Sequence, residues 1–278
     1  MHETPLSPVM GIAIDGFDVR AMTPVVLEHV KARLADHGVV CFRGQTLSHP
    51  ELVAFSARLG PFQHHVLTQW TLPEHPEIYV HSNIVENGRP LGNPREGFGW
   101  HTDLTYFERP TAYTVLYGVQ VPREGGNTDF ASLYAAYDAL PQAQRERLQG
   151  CSVLRDYRKL YARRSNVEPL TEAQLARTPP TRHPLVRTHP VNGRKGLYLG
   201  GNDVVTVLDA DGTDIGREIH DELLAFSIGE TFRYSHQWRA GDLLVWDNRG
   251  LLHTATEYDR EHERRLIYRT LIEGEVPR

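Results

Sequence analysis

The sequence WHTDLTYFERPTAYTVLYGVQV, residues 100–121, joins a His-x-Asp tripeptide to a long apolar segment. Residues 112–121 are rich in β-branched and aromatic side chains, which predicts a strand. If the tripeptide also lies on a strand, His101 and Asp103 point to the same side, because side chains two residues apart share a face. An imidazole and a carboxylate held side by side provide two ligands of a facial metal site.

Similar short apolar segments, separated by Gly and Pro turns, continue on both sides of this stretch. The predicted strands are 39–42, 78–80, 112–121, 197–199, 243–246 and 266–273, and the predicted helices are 23–38, 48–59, 132–140 and 214–226. This pattern predicts an α+β, mainly β fold, a sandwich or barrel with flanking helices. We find no linker and therefore expect one domain over residues 1–278. The polar, Arg-rich insert at about 157–183 is typical of a lid or binding loop.

Composition limits the function classes. The chain has 278 residues, 40% of them hydrophobic and 23% charged, which excludes a disordered protein. A net charge of −5 gives no reason to expect a nucleic acid or membrane partner, and no apolar run is long enough to span a membrane. Its two cysteines lie far apart, which argues against a disulfide scaffold and fits a cytoplasmic location. We expect a small-molecule substrate.

A second motif, GDLLVWDNRGLLH at 241–253, predicts an apolar strand, a turn and then His253. Antiparallel pairing would bring His253 beside the first two side chains. Two histidines and one carboxylate on one face leave about three open metal positions, as in non-haem Fe(II) oxygenases. The tripeptide alone is weak support because the chain has 15 histidines, and a turn with a surface ion pair also explains it.

Two arginines follow in RRLIYRT, residues 264–270. On a strand, Arg265 and Arg269 share one face. Guanidinium groups in an apolar environment are costly unless they meet anions, such as a dicarboxylate co-substrate or an acidic substrate. The alternative is an exposed strand with both arginines pointing into solvent.

Together these motifs resemble the Fe(II)/2-oxoglutarate-dependent dioxygenases of the TauD/TfdA family. The resemblance runs from about residue 10 to the C-terminus, and five motifs carry it in order: residues 100–116, 125–141, 183–199, 241–253 and 264–270. It implies a double-stranded β-helix (jelly roll, cupin-like) core with flanking helices. It also suggests a homo-oligomer, either a dimer or a tetramer.

The resemblance implies a role for each matching residue. His101, Asp103 and His253 match the iron ligands and hence the catalytic centre. Arg265, the second of the arginine pair, matches the residue that pairs with the distal carboxylate of 2-oxoglutarate, and Thr128 matches the hydroxyl that helps to hold the same co-substrate. Arg269 matches an arginine near the iron that meets the keto-acid end of 2-oxoglutarate or an anionic substrate. Fe(II), 2-oxoglutarate and O₂ are the implied cofactor and co-substrates.

The expected substrate residues are His65, Phe98, Asp203 and Arg269. His65, or its neighbour His64, lies where family members place one wall of the substrate site. The segment 97–99 stands where taurine dioxygenase itself carries an asparagine, which argues against taurine. Asp203, or Asn202, would make another wall polar or amine-binding, although a simple turn also explains this Gly-Gly-Asn-Asp sequence. The lid candidates, which a solvated basic loop also explains, are Tyr157, Arg158, Tyr161, Arg163 and Arg164.

The implied reaction is hydroxylation of a C–H bond in a small anionic organic substrate, with release of succinate and CO₂. Two alternatives remain at this point. One is a zinc-dependent hydrolase that uses the same ligands to activate water. Hydrolysis, however, needs no dicarboxylate co-substrate, which argues against it. The other is a non-catalytic small-molecule-binding protein. A degenerate site would have no reason to keep all three ligands, which argues against that alternative.

Overall fold

The computed structural model describes residues 2–95, 97–163 and 169–278. The strands are β1 His2–Pro5, β2 Ile12–Asp15, β3 Val39–Phe42, β4 Thr71–Leu72, β5 His75–Ser82, β6 Val85–Glu86, β7 Arg89–Pro90, β8 Thr111–Gln120, β9 Thr128–Ser132, β10 Ser152–Arg155, β11 Thr181–Pro184, β12 Val186–Thr188, β13 Lys195–Leu197, β14 Val204–Leu208, β15 Arg233–His236, β16 Leu243–Asp247, β17 Leu251–Ala255 and β18 Leu266–Glu273. The helices are α1 Pro24–His37, α2 His49–Leu59, α3 Leu133–Ala139, α4 Gln142–Arg147, α5 Tyr157–Tyr161, α6 Glu172–Arg177 and α7 Glu218–Ser227.

Two sheets and a pair of helices form three layers. The large sheet has the order β1-β2-β3-β16-β8-β18-β5-β4, and a small sheet has the order β15-β9-β17. Alternation along β3 shows how they stack: Val40 and Phe42 pack with α1 and α2, whereas Val39 and Cys41 pack with Phe130 of the small sheet. The large sheet therefore lies between the helices and the small sheet, and it is buried on both faces.

A second core lies on the far side of the small sheet. There the three-stranded sheet β11-β10-β14 packs with α3 and α7. Val153, Leu133 and Leu223 are representative members of this core, and Leu252 of β17 joins it. Strand β17 therefore has well-packed neighbours on both sides, which gives a rigid position to any side chain it carries.

The first two helices begin and end where their sequences predict. Thr23 caps α1 by accepting a hydrogen bond from the Val26 N–H, and Gly38, at φ 74°, ends it. Ser48 and Glu51 form a capping box at the start of α2. The predicted helices 23–38 and 48–59 are confirmed to within one residue at each end. Within the described residues, no helix has the length and apolar character that crossing a membrane requires.

Three predicted segments differ from the structure. The strand expected at 197–199 ends at Leu197, because Tyr198 and Leu199 leave the sheet. The helix expected from 214 begins at Glu218, because the Asp214 carboxylate accepts bonds from Thr206 and from the Gly216 N–H and so holds a turn. The insert at 157–183 is not wholly irregular, since it contains α5, α6 and the start of β11. Arg164 lies outside the described residues.

Phe42 tests the packing between the large sheet and the helices. Its side chain is fully buried, and its ring packs edge-on against Phe55 at a centroid distance of 5.9 Å. We expect Phe42→Ala to lower the free energy of unfolding by about 3–5 kcal/mol, because it leaves a cavity in the core. Val25→Ala on α1, where the side chain is 80% exposed, is the control and should change stability by less than about 0.5 kcal/mol. Equal effects in urea denaturation would contradict the layered core.

Candidate functional site

The site begins with a backbone pairing between His101 and His253. The N–H of His101 donates to the His253 carbonyl at 3.0 Å, and the N–H of His253 donates back at 2.8 Å. His253 lies on β17, so this isolated bridge attaches the segment around residue 101 to the edge of the small sheet. Because the two residues are directly opposed, their rings lie side by side, with centroids 4.2 Å apart.

The prediction that His101 and Asp103 lie on one strand and therefore point to the same side is wrong. Only His101 makes a bridge, and residues 103–106 form a turn. Leu104 has a φ of 48°, an uncommon conformation for a non-glycine residue, and it bends the chain directly after Asp103. The carboxylate therefore reaches the histidines through a turn and not through strand alternation.

The three side chains converge on one point. Asp103 Oδ1 lies 3.7 Å from His101 Nε2, and Asp103 Oδ2 lies 3.5 Å from His253 Nε2. One ligand atom from each residue lies within 4.8 Å of the others. The Nδ1 of His101 is 2.7 Å from the Gly99 carbonyl, a contact that requires a proton on Nδ1 and leaves the Nε2 lone pair free.

Burial sets the charges of this cluster. The pKa of His253 falls to about 3, first because of burial and then because of His101, so its imidazole is neutral. Burial opposes ionisation of Asp103, yet its pKa is lowered because the Arg269 charge and the hydrogen bond from Thr114 stabilise the carboxylate. Two imidazoles and one carboxylate are a donor set suited to a divalent transition metal with open positions.

A second set of side chains supports Asp103. The Thr114 hydroxyl donates to Asp103 Oδ2 at 2.6 Å, and the Asn248 amide in turn donates to Thr114 at 2.9 Å. The Oδ1 of Asn248 accepts bonds from the Asp103 N–H and from Trp246 Nε1. Sequence reasoning missed Thr114 and Asn248. A buried hydroxyl within the apolar β8 was a signal, because such a group needs a partner.

Arg269 lies on β18 and Arg265 directly precedes this strand. Both side chains face the space between the sheets. Arg265 is 9% exposed and Arg269 is 5% exposed, whereas the neighbouring Arg264 is exposed. Within the described residues, Arg265 Nε and Arg269 Nε and Nη2 are buried without a hydrogen-bond partner. Burial lowers the pKa of Arg265 to about 10. A buried cation with unused donors is costly, so these groups fit an anionic ligand.

Thr128 completes this group. Its Oγ1 accepts a hydrogen bond from Trp238 Nε1 at 3.1 Å, which leaves the hydroxyl proton free to donate. A narrow cavity between the sheets is lined by all six residues predicted from the motifs: His101, Asp103, Thr128, His253, Arg265 and Arg269.

A larger cavity of about 870 Å³ opens beside this cluster. His65 and Phe98 line it, and Asn202, Tyr161 and Arg163 also contribute to its wall. His65 is buried, and its Nδ1 accepts the Leu67 N–H at 3.0 Å. Three other candidates lie elsewhere: His64 is exposed, Tyr157 is buried against Tyr106, and Arg158 pairs with Asp156 at the surface.

Asp203 also lines the large cavity, but its carboxylate has an internal partner. Its Oδ2 lies 3.2 Å from Arg155 Nη1 and accepts a bond from the Thr105 hydroxyl at 2.7 Å. Both charged side chains are at most 2% exposed. An amine-binding role for Asp203 would therefore compete with a buried arginine.

Removal of one partner of this buried ion pair should destabilise the protein. Asp203→Ala should lower the free energy of unfolding by about 3–5 kcal/mol, because it leaves the Arg155 charge buried and unpaired. Asn202→Ala, next to it on the same wall, is the control and should change unfolding little. An Asp203→Ala protein as stable as wild type in urea denaturation would refute this assignment and would favour a direct substrate contact.

Comparison with known proteins agrees with this geometry. The family model described as "Taurine catabolism dioxygenase TauD, TfdA family" matches residues 2–271. Alpha-ketoglutarate-dependent 2,4-dichlorophenoxyacetate dioxygenase of Cupriavidus pinatubonensis is 31% identical over 98% of this chain and 98% of its own length. Pentalenolactone F synthase of Streptomyces arenae is 34% identical over 95% of this chain and 93% of its own. The crystal structure of a taurine dioxygenase from Burkholderia xenovorans superposes with a TM-score of 0.79 at 28% identity, covering 99% of this chain and 90% of its own. The chain therefore belongs to the TauD/TfdA family of dioxygenases.

Proposed function

We propose a specific reaction within the class of 2-oxoglutarate-dependent dioxygenases to which family membership assigns this enzyme. The protein hydroxylates a C–H bond of a small anionic organic substrate with Fe(II), 2-oxoglutarate and O₂, and it releases succinate and CO₂. One observation carries this proposal. The ligand atoms of His101, Asp103 and His253 lie within 4.8 Å of one another, beside two buried arginines with unused donors.

In this proposal His101, Asp103 and His253 hold Fe(II). A neutral imidazole and an ionised carboxylate are the forms in which these residue types bind a metal. When bound, the iron supplies the activation of O₂ for oxidation of a substrate C–H bond. The protein contributes the geometry, and Thr114 and Asn248 keep the carboxylate in place through hydrogen bonds.

Arg265 and Thr128 bind the distal carboxylate of 2-oxoglutarate. A guanidinium can donate two parallel hydrogen bonds to a carboxylate, and the free Thr128 proton adds a third. Arg269 binds the keto-acid end or an anionic group of the substrate. These contacts would satisfy the donors that the protein alone leaves unused.

The large cavity accommodates the substrate. Leu67, Trp70, Phe98 and Trp100 give it apolar and aromatic walls, and its volume of about 870 Å³ is within the range of sites for drug-sized ligands. We therefore propose an organic acid with an apolar body. His65 and Phe98 would contact this body, and Asp203 would shape the wall through its pairing with Arg155. We infer that the substrate of this protein is not taurine, and the names of two relatives, which refer to 2,4-dichlorophenoxyacetate and pentalenolactone F, support this inference.

We further propose that the facing large and small sheets form a double-stranded β-helix, or jelly roll, within one domain over residues 1–278. The superposition on a family member supports this interpretation. A cytoplasmic location, the absence of nucleic acid and membrane partners, and assembly as a dimer or tetramer stay predictions. Size-exclusion chromatography with light scattering would test the last of them.

Anaerobic addition of Fe(II) and 2-oxoglutarate to the apoprotein tests the cofactor assignment. We expect the visible charge-transfer band typical of metal-bound 2-oxoglutarate. His101→Ala should abolish the band, because it removes a ligand. Arg265→Ala should raise the 2-oxoglutarate concentration needed for the band by at least about 30-fold, because it removes a buried charged partner. Arg264→Ala is the matched control, since this exposed neighbour has the same charge and should leave the titration unchanged.

The same titration separates the alternatives. If no band forms in a folded, metal-loaded sample, the oxygenase proposal fails. Hydrolysis in the presence of zinc would then favour the zinc-dependent hydrolase, and ligand binding without turnover would favour a binding protein. If the band forms, release of succinate identifies substrates among organic acids.

A further inference from the structure

His81 occupies a position that no motif predicted. It lies on β5, and the register of the antiparallel pair β5–β18 sets Ile267 opposite His81 and Arg269 opposite Tyr79. Opposed residues of an antiparallel pair share a face, and so do residues two apart on one strand. His81 therefore faces the same space as Arg265 and Arg269 and lies between them along the sheet.

The imidazole of His81 has an unused polar atom. The residue is 6% exposed, and its Nε2 is buried without a hydrogen-bond partner among the residues that the structure describes. It lines the narrow cavity together with Thr128, both arginines and the three proposed iron ligands. The Tyr79 ring packs beside it at a centroid distance of 5.3 Å.

The surroundings keep His81 neutral. Burial is the main cause of its lowered pKa, and Arg269, Arg265, His65 and His101 act in the same direction. A neutral imidazole has one N–H donor and adds no third positive charge. The two guanidiniums already balance the two negative charges of a dicarboxylate, so a neutral donor suits the space between them.

A buried polar atom without a partner destabilises a protein unless a ligand uses it. We propose that His81 is a further binding residue for the co-substrate, and that its Nε2–H donates a hydrogen bond to a carboxylate oxygen of 2-oxoglutarate. This inference rests on the proposed function, because it assigns a new residue to the proposed 2-oxoglutarate site. It also explains why a histidine occupies a buried position next to two cations.

Two measurements on three variants test the inference. Isothermal titration of 2-oxoglutarate into Mn(II)-loaded protein gives the dissociation constant without turnover, and thermal unfolding without co-substrate gives the stability. We expect His81→Leu to weaken binding by about 10- to 100-fold, the range for one hydrogen bond to a charged group. His81→Gln, whose amide can reach the same point, should bind within about 3-fold of wild type. His81→Asn, which is shorter, should bind as weakly as His81→Leu.

Stability distinguishes a ligand contact from a structural role. If His81 serves the co-substrate, ligand-free His81→Leu is at least as stable as wild type, because the substitution removes an unsatisfied buried group. If His81 is structural, stability falls and the conservative variant does not restore binding. Ser82→Ala is the matched control: it changes the next residue, on the opposite face of the same strand, and should leave the dissociation constant unchanged.

The failures are distinguishable. If wild type does not bind 2-oxoglutarate, the proposed function itself fails and takes this inference with it. If wild type binds and His81→Leu binds equally well, only the role of His81 is refuted. Should His81→Leu fail to fold, His81→Asn decides the question: wild-type affinity in that variant overturns the inference, and weak binding rescued by His81→Gln supports it.

Discussion

The paired hydrogen bonds between the backbones of His101 and His253 are the contact on which the site depends. They attach a segment that is otherwise turn and loop to β17, a strand packed between two cores. This pairing places the two histidine rings side by side. The turn at Leu104 then needs to direct only one carboxylate, and Thr114 and Asn248 hold it. Three side chains from two distant parts of the chain thus form one face that could hold a metal ion.

The buried arginines fall into two groups: those that pair with a carboxylate of the chain, and those that we assign to the co-substrate. Arg155 pairs with Asp203, Arg249 pairs with Asp247, and Arg187 pairs with Glu275. Arg265 and Arg269 are also buried, yet among the described residues no carboxylate forms an ion pair with either. Because a buried cation without a counterion is costly, these two side chains lack the charge partner that a stable buried guanidinium needs. In the proposed complex, an anionic co-substrate supplies the negative charge that the other three arginines find within the chain.

Local sequence signals were reliable where the physics is local. Thr23 with Gly38, and Ser48 with Glu51, determine helix ends through contacts a few residues apart, so the predicted bounds agree with the structure. The residues of the cluster were found through motifs, and the structure brings them together. Contacts between residues far apart in the sequence could not be predicted in this way. Nothing near Asp203 indicates Arg155, 48 residues away, and nothing in the tripeptide indicates the positive φ of Leu104.

The layered core has a consequence for the length of the co-substrate. In the proposed complex, one end of 2-oxoglutarate lies near His253 on the small sheet, and the other end meets Arg265 at the large sheet. Between the two sheets lie the rings of Phe130 of β9 and Trp246 of β16, which pack 5.4 Å apart, and Trp246 also lines the narrow cavity. These rings help to keep the two sheets apart, so in the proposed complex we expect a five-carbon dicarboxylate to fit between the anchors better than its shorter and longer homologues. Under the proposed function, the choice of co-substrate would then depend on interior packing as well as on the groups that bind it.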